Sequence, residues 1–260
     1  MTDEQFATAF AGAAGTYERG RPGYPPKAID ALVRELGLER RSVVVDLAAG
    51  TGKLTAELTR RFDRVIAIEP LAEMRERLAR AAPAAEALEG SAERMPVPDS
   101  SASAVFVAQA FHWFDGRRAL DEIARVLRRG GGLALLWNTT PWELRHSAWF
   151  ARINDVLERG RADLSVMRRH GSGRWRDAFD AEQRFSSLSA ATFDNTLRVA
   201  PGDFLADIAS RSYVARLDPA ARQAILANVE ELLARDDAPV EAGRVLVPMR
   251  TDVVWTRLSG

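Results

Sequence analysis

The stretch Val43–Phe62, VVVDLAAGTGKLTAELTRRF, constrains this chain more than any other. Val43, Val44 and Val45 make a continuous β-branched run, which suits a strand buried on both faces. Leu54, Leu58 and Phe62 follow at every fourth position and share one face of a helix. A turn containing Gly50 and Gly52 joins the two. Buried strand, tight turn and helix in that order open a parallel α/β sheet. The ligands of such sheets gather at the carboxyl ends of the strands.

The turn admits three classes of ligand. Gly52-Lys53 looks like the end of a triphosphate loop, G-x-x-x-x-G-K-[ST]. Leu47 stands where that loop needs its first glycine, and Leu54 has no hydroxyl for magnesium. The dinucleotide pattern G-x-G-x-x-G is met at Gly50 and Gly52, but Thr55 fills the third position, where close packing wants Gly or Ala. The third class has no phosphate. Asp46 at the strand end can accept from an ammonium group, and the glycines let backbone pass beneath a bulky ligand. An acidic strand end suits a cationic or zwitterionic ligand, and S-adenosylmethionine is one.

The same rhythm continues along the chain. Ile29, Leu32, Val33 and Leu36 predict a helix from Pro26 to Gly37. Val65–Ile68 reads as a second buried strand ending at Glu69, and Leu71–Arg80 as a helix. Ala85–Leu88 is a short third strand and Ala104–Ala108 a fourth. Leu120, Ile123 and Leu127 mark a helix that ends at Gly130-Gly131-Gly132, before a fifth strand at Leu133–Trp137. The expected fold is α/β: a doubly wound, Rossmann-like, mostly parallel seven-stranded sheet with an antiparallel terminal strand and a helical cap. After Asn138 the rhythm changes. Phe150, Ile153 and Leu157 mark a helix, Phe193, Leu197 and Val199 alternate as in a strand, and Asp218-Pro219 caps another helix. Val245–Leu258 reads as a long closing strand, with Pro248 at a bulge or edge. The expected organisation is one domain over residues 1–260, with a ligand-binding core at about 38–140 and caps at about 141–182 and 201–238.

Composition narrows the partners. The chain has 260 residues, with 36 basic and 36 acidic side chains. Such a balance argues against a dedicated nucleic-acid binder. There is no cysteine, hence no disulfide and no thiolate chemistry, which fits a reducing compartment; a cytoplasmic protein is expected. No run of about 18 apolar residues exists, so no membrane partner is expected. MTDEQFATAF lacks the basic region of a secretory signal. His146 and His170 have no second ligand at metal spacing, so no metal site is expected. Nothing in the sequence states the oligomeric state.

Asp46–Gly52, DLAAGTG, resembles motif I of the class I S-adenosylmethionine-dependent methyltransferases. "GSAERMPVPDSSASAVFVAQAFHWFD" resembles that family's segment from the adenine pocket through the fourth strand, and "VLRRGGGLALLWN" its turn into strand five. "TYERGRPGYP" and "QAFHWFD" are similar to the small-molecule branch that includes trans-aconitate methyltransferase, whose domain is the type 11 methyltransferase domain. The resemblance is dense over residues 16–138. It implies methyl transfer from S-adenosylmethionine, with S-adenosylhomocysteine as product, to the O, N, S or carboxylate of a small molecule.

The resemblance also implies residue roles. Asp46, Ala48 and the Gly50-Thr51-Gly52 backbone would hold the methionine end, and Glu69 both ribose hydroxyls. Pro70 and Met74 would flank the adenine, with Ser91 and Ala92 at its edge. Gln109 and Ala110 would line the ligand, and Tyr17 and Arg21 would close over it. His112 is the candidate general base. Trp113, Trp137 and Trp142 are candidates for the acceptor pocket, with Arg168 and Arg169 (and Arg174 and Arg176 near them) for an anionic acceptor. Ala48 replaces the usual first glycine of motif I, an exchange expected only where φ is negative. Ser91 replaces the usual aspartate, and its hydroxyl would accept from the adenine amine without charge assistance. Two alternatives stay open: a nicotinamide-dependent oxidoreductase, and a non-catalytic binding module on the same fold.

Overall fold

The computed structural model describes residues 22–139, 147–159, 174–180, 182–215 and 217–259. The chain divides into two compact units. Among the described residues, the larger holds 23–139, 174–193 and 251–259, and the smaller holds 147–159 and 194–250.

The larger unit is built as the apolar patterning requires. Helix α1 (Pro26–Glu35) starts with proline at its first position and ends at Gly37 in the left-handed conformation, φ 56°. Strand β1 (Val43–Leu47) pairs in parallel with β2 (Arg64–Ile68) on one side and β4 (Ala102–Ala108) on the other. Helix α2 (Lys53–Thr59) links β1 to β2, and α3 (Ala72–Ala81) links β2 to β3 (Glu86–Leu88). Helix α4 (Gly116–Val126) buries Ala119, Leu120, Ile123 and Val126, one helical stripe, and leads into β5 (Leu127–Thr139). The strand order is β3-β2-β1-β4-β5-β8-β6, with a two-residue β7 pairing only β8. β6 is Ser189–Val199, β7 Val240–Glu241 and β8 Arg244–Arg257. Gly130 donates to Leu258 O at the start of β5, and Thr139 near its end donates to Asp252. β8 therefore runs antiparallel to β5, as expected for the terminal strand.

The smaller unit has its own apolar cluster. Trp149, Phe150, Ile153 and Leu157 of α5 (Ala148–Arg159) join Phe204 and Ile208 of α6 (Pro201–Ser210) and Ile225 and Val229 of α8 (Pro219–Leu233). A four-residue α7 (Ser212–Ala215) lies between α6 and α8 in the chain. Asp218 caps α8 by accepting from Ala221 N at 2.9 Å. Trp149 Nε1 donates to Leu232 O at 2.7 Å, so the buried indole is satisfied. No helix among the described residues is long and apolar enough to cross a membrane.

One boundary differs from the sequence reading. The glycine triplet does not end α4 and precede the strand; it lies inside β5, which begins at Leu127. Glycine usually punctuates, but here it clears space. A Cβ on Gly132 would lie 2.6 Å from Leu36 Cδ2 and 2.8 Å from its Cδ1. Leu36 is 3% exposed, so α1 packs directly on the bare strand backbone. Gly132→Ala should therefore overpack this contact and cost about 1–3 kcal/mol in denaturant unfolding. Adding Leu36→Val should recover part of the loss, and equal stability of all three chains would refute the packing account.

Candidate active site

The order 3-2-1-4-5 reverses direction between β1 and β4. Ligands of open α/β sheets sit outside the carboxyl ends of the strands at such a reversal. β1 and β4 end nearly level, with Leu47 paired to Val107. Ala48–Gly52 after one strand and Gln109–Trp113 after the other thus issue from the same edge, with Asp46 the last residue but one of β1. Glu69 follows β2, the other neighbour of β1.

Asp46 is 1% exposed. Its Oδ2 accepts from Thr55 Oγ1 at 2.6 Å, and its Oδ1 is buried with no donor among the described residues. Burial pushes the carboxyl from 3.8 up to about 7; the charge of Glu69 adds to the rise and the Thr55 bonds oppose it. Thr55 is fully buried and holds this acid. Sequence reasoning treated Thr55 only as a departure from a dinucleotide pattern. The available signal was a hydroxyl in the first turn of the helix that follows an acidic strand end.

Glu69 is 6% exposed and ties the turn together. Its Oε2 accepts from Gly50 N at 2.9 Å and its Oε1 from Leu71 N at 3.0 Å. Burial again raises its pKa, while the two amides and Arg75 pull the other way. Arg75 donates to Glu69 O and Pro70 O at 2.9 and 2.6 Å, and to Glu89 at 2.7 Å. Each carboxylate oxygen can accept more than one bond, so the Glu69 amide contacts leave capacity for hydroxyls. Arg75 was also missed, because an exposed-looking arginine on a helix gives no pattern.

The expectation for Ala48 is overturned. Its φ is +58°, beside Gly50 at +57° and Gly52 at +86°. An alanine in this conformation costs about 1 kcal/mol, and it is held because Ala49 N bonds Ile68 O while Gly50 N bonds Glu69. Gln109 is also left-handed, φ +57°, with its amide on Leu136 O and its side chain on Asn138 O at 3.0 Å. Ala92, Met74 and Ala110 are buried, Ser91 is half-buried and Pro70 is exposed. Ser91 and Arg94 close a tight bridge through their backbones.

His112 and Trp113 lie in a short 3-10 turn, Phe111–Trp113, with ring centroids 4.9 Å apart. Trp137, on β5, is 1% exposed and donates Nε1–H to His112 Nδ1 at 3.3 Å. Its ring stacks on Trp175 at 4.7 Å, and Arg176 lies 4.5 Å above the Trp175 ring. An imidazole that accepts at Nδ1 carries its neutral-form proton on Nε2. Tyr17, Arg21, Trp142, His146, Arg168, Arg169 and His170 lie outside the described residues. No group of three or more potential metal ligands occurs among the described residues.

The methyltransferase-domain family matches residues 45–135. An uncharacterized methyltransferase of Mycobacterium tuberculosis is 38% identical over 251 residues, covering 96% of both chains. The chain belongs to the methyltransferase family. A methyltransferase-like protein of Schizosaccharomyces pombe is 29% identical, covering 83% of this chain and 82% of its own. Among solved structures, a putative type II methyltransferase from Anaeromyxobacter dehalogenans superposes with TM-score 0.62 at 24% identity, covering 92% of this chain and 97% of its own. That likeness shows the fold, a Rossmann-like α/β sheet.

In this methyltransferase the Asp46 carboxyl has a stability signature. The folded chain holds its proton more tightly than an unfolded chain does, because the folded pKa is raised to about 7. That contribution is full below the ordinary carboxylate range and is lost as pH rises through about 7. Asp46→Asn keeps an acceptor for Thr55 but cannot ionise. Relative to the variant, the parent chain should lose on the order of 3 kcal/mol between pH 4 and pH 8. Parallel stability curves in denaturant across that range would refute a buried, proton-holding Asp46.

Proposed function

We propose that this methyltransferase uses S-adenosylmethionine and methylates a small molecule whose nucleophile is a carboxylate. One observation carries the cofactor reading. Two buried carboxyl groups, Asp46 and Glu69, end adjacent strands on either side of a glycine turn that lacks a phosphate cradle. The orphaned Oδ1 of Asp46 fits an ammonium donor, and the spare lone pairs of Glu69 fit vicinal hydroxyls. Phosphates would meet like charge here, which weighs against a nicotinamide dinucleotide. When bound, the cofactor supplies an electrophilic sulfonium methyl. The chain's own part is alignment and exclusion of water, so positioning dominates.

The narrower acceptor reading rests on His112 together with the resemblance of "QAFHWFD" to the trans-aconitate branch. The Trp137 bond occupies Nδ1, and the tautomer with a basic Nε2 would set N–H against N–H. This weighs against His112 as a base and favours an orienting role. A carboxylate needs no base at neutral pH. Residues 141–182 and 201–238 would select the acceptor.

Calorimetry tests the cofactor. Glu69→Ala should weaken S-adenosylhomocysteine binding at least about tenfold, from loss of charged hydrogen bonds worth about 1.5–3 kcal/mol each. Tighter binding of NAD than of S-adenosylhomocysteine would overturn the proposal. The histidine is tested separately. Nitrogen NMR should show Nδ1 of His112 unprotonated at neutral pH, and Trp137→Phe should allow both tautomers. With an acceptor identified by screening small carboxylic acids, His112→Ala should lower turnover by about tenfold, short of the 10²–10⁴ expected for a lost general base. A hundredfold loss with a vanished acidic limb would restore the base role.

A further inference from the structure

We infer that Arg125 and Glu122 on α4 are positioning residues for the base-reading end of the cofactor site. They clamp the loop between β3 and β4, residues 89–101, which carries Ser91 and Ala92. The inference rests on the cofactor reading above and goes beyond it in naming what shapes the adenine edge.

The clamp is a planar fork used fully. Arg125 Nη2 donates to Met95 O at 3.0 Å and Nη1 to Val97 O at 2.9 Å. Nη1 also meets the Asp99 carboxylate. Nε and Nη2 bond the two oxygens of Glu122 at 2.8 and 2.7 Å. Glu122 Oε1 in turn accepts from Met95 N at 2.6 Å. Both backbone groups of Met95 are therefore held by one ion pair. An ammonium could not reproduce this geometry, because it lacks a rigid fork. Arg125 holds its charge more firmly than usual, chiefly through Glu122. Glu122 lies below the ordinary carboxylate range, chiefly through Arg125.

The clamp acts next to the adenine edge. Met95 lies four residues beyond Ser91 and directly follows Arg94, which bridges back to Ser91. Ala92, Met95 and Val97 are each at most 5% exposed, so the loop plugs into the same core that α4 covers. At the other end of α4, Glu93 Oε1 accepts from Asp115 N at 3.2 Å, where Asp115 caps the helix. Asp115 lies two residues after Trp113, just beyond the turn that carries His112. One helix thus holds the loop carrying Ser91 and the turn carrying His112. Residues 89–101 contain no regular helix or strand beyond the Ser91–Arg94 bridge, so these bonds help to decide where Ser91 stands.

The experiment compares two ligands. S-adenosylhomocysteine carries the adenine amine; S-inosylhomocysteine carries a carbonyl there. A site that hydrogen-bonds the amine rejects the analogue, and the parent chain is expected to prefer adenine by about tenfold or more. In Arg125→Gln, calorimetry should show S-adenosylhomocysteine weakened about tenfold and the inosine analogue less than about threefold, so discrimination collapses. Glu93→Ala, a half-buried and milder change, should reduce discrimination partly; it decides the matter if Arg125→Gln does not fold by circular dichroism. A merely structural role would lower stability and leave the ratio of the two affinities unchanged, and that result overturns the inference. A parent chain that binds S-adenosylhomocysteine without discrimination also overturns it, while sparing the cofactor reading. A parent chain that binds neither ligand sinks both.

Discussion

The hydrogen bond from Thr55 to Asp46 is the contact on which the rest of the site depends. It joins the end of β1 to the first turn of α2 and fixes the path of the five residues between Leu47 and Lys53. Three of those residues, Ala48, Gly50 and Gly52, have positive φ, so the turn has no regular structure to hold it. Its shape comes from side chains. Thr55 holds one end, and Glu69 holds the middle through Gly50 N. Both holding groups are buried, where an unmade bond costs about 1–3 kcal/mol. A turn fixed by buried bonds is preorganised, and a ligand need not order it on binding.

On the proposed cofactor reading, this arrangement accounts for how a site for a cationic ligand keeps its acids. Two carboxylates close together repel, and burial penalises each. The chain lessens the cost by giving Glu69 two backbone amides and leaving Asp46 near its point of half-protonation at neutral pH. A neutral Asp46 is tolerable inside the protein; a cation beside it would favour the ionised form. Binding and proton release are then linked by the same group.

Much of the fold was legible because strand burial and helix periodicity leave separate marks. The valine run at 43–45 and the Asp218-Pro219 cap stand where the residues predicted them, and Leu54 and Leu58 are buried on α2; Phe62 is buried too, but α2 ends at Thr59 and Phe62 lies beyond it, before β2. The site was legible where a residue's chemistry matches its place at a strand end, as for Asp46 and Glu69. It was not legible where the role depends on a distant partner. Trp137 and His112 are 25 positions apart, and Arg125 meets Val97 from 28 positions away. Ala48 was misjudged for a related reason. Its own preference is for negative φ, but neighbouring bonds to Ile68 and Glu69 outweigh that preference.

The clustering of tryptophans bears on what the larger unit can do. Trp137 and Trp175 come from β5 and from the 3-10 segment Arg174–Ala178, and Phe111 meets Trp175 edge-on. These rings belong to the same buried cluster as Val107 and Leu135. The indole of Trp137 is therefore core, yet its N–H reaches the turn beyond β4. A rigid core residue that sets the tautomer of a half-buried histidine gives that histidine a defined hydrogen-bonding polarity without using a carboxylate. A carboxylate partner at Nδ1 would do the opposite: it would accept a hydrogen bond from Nδ1–H and leave Nε2 basic. An indole rather than a carboxylate at Nδ1 favours the orienting role proposed for His112 over proton abstraction.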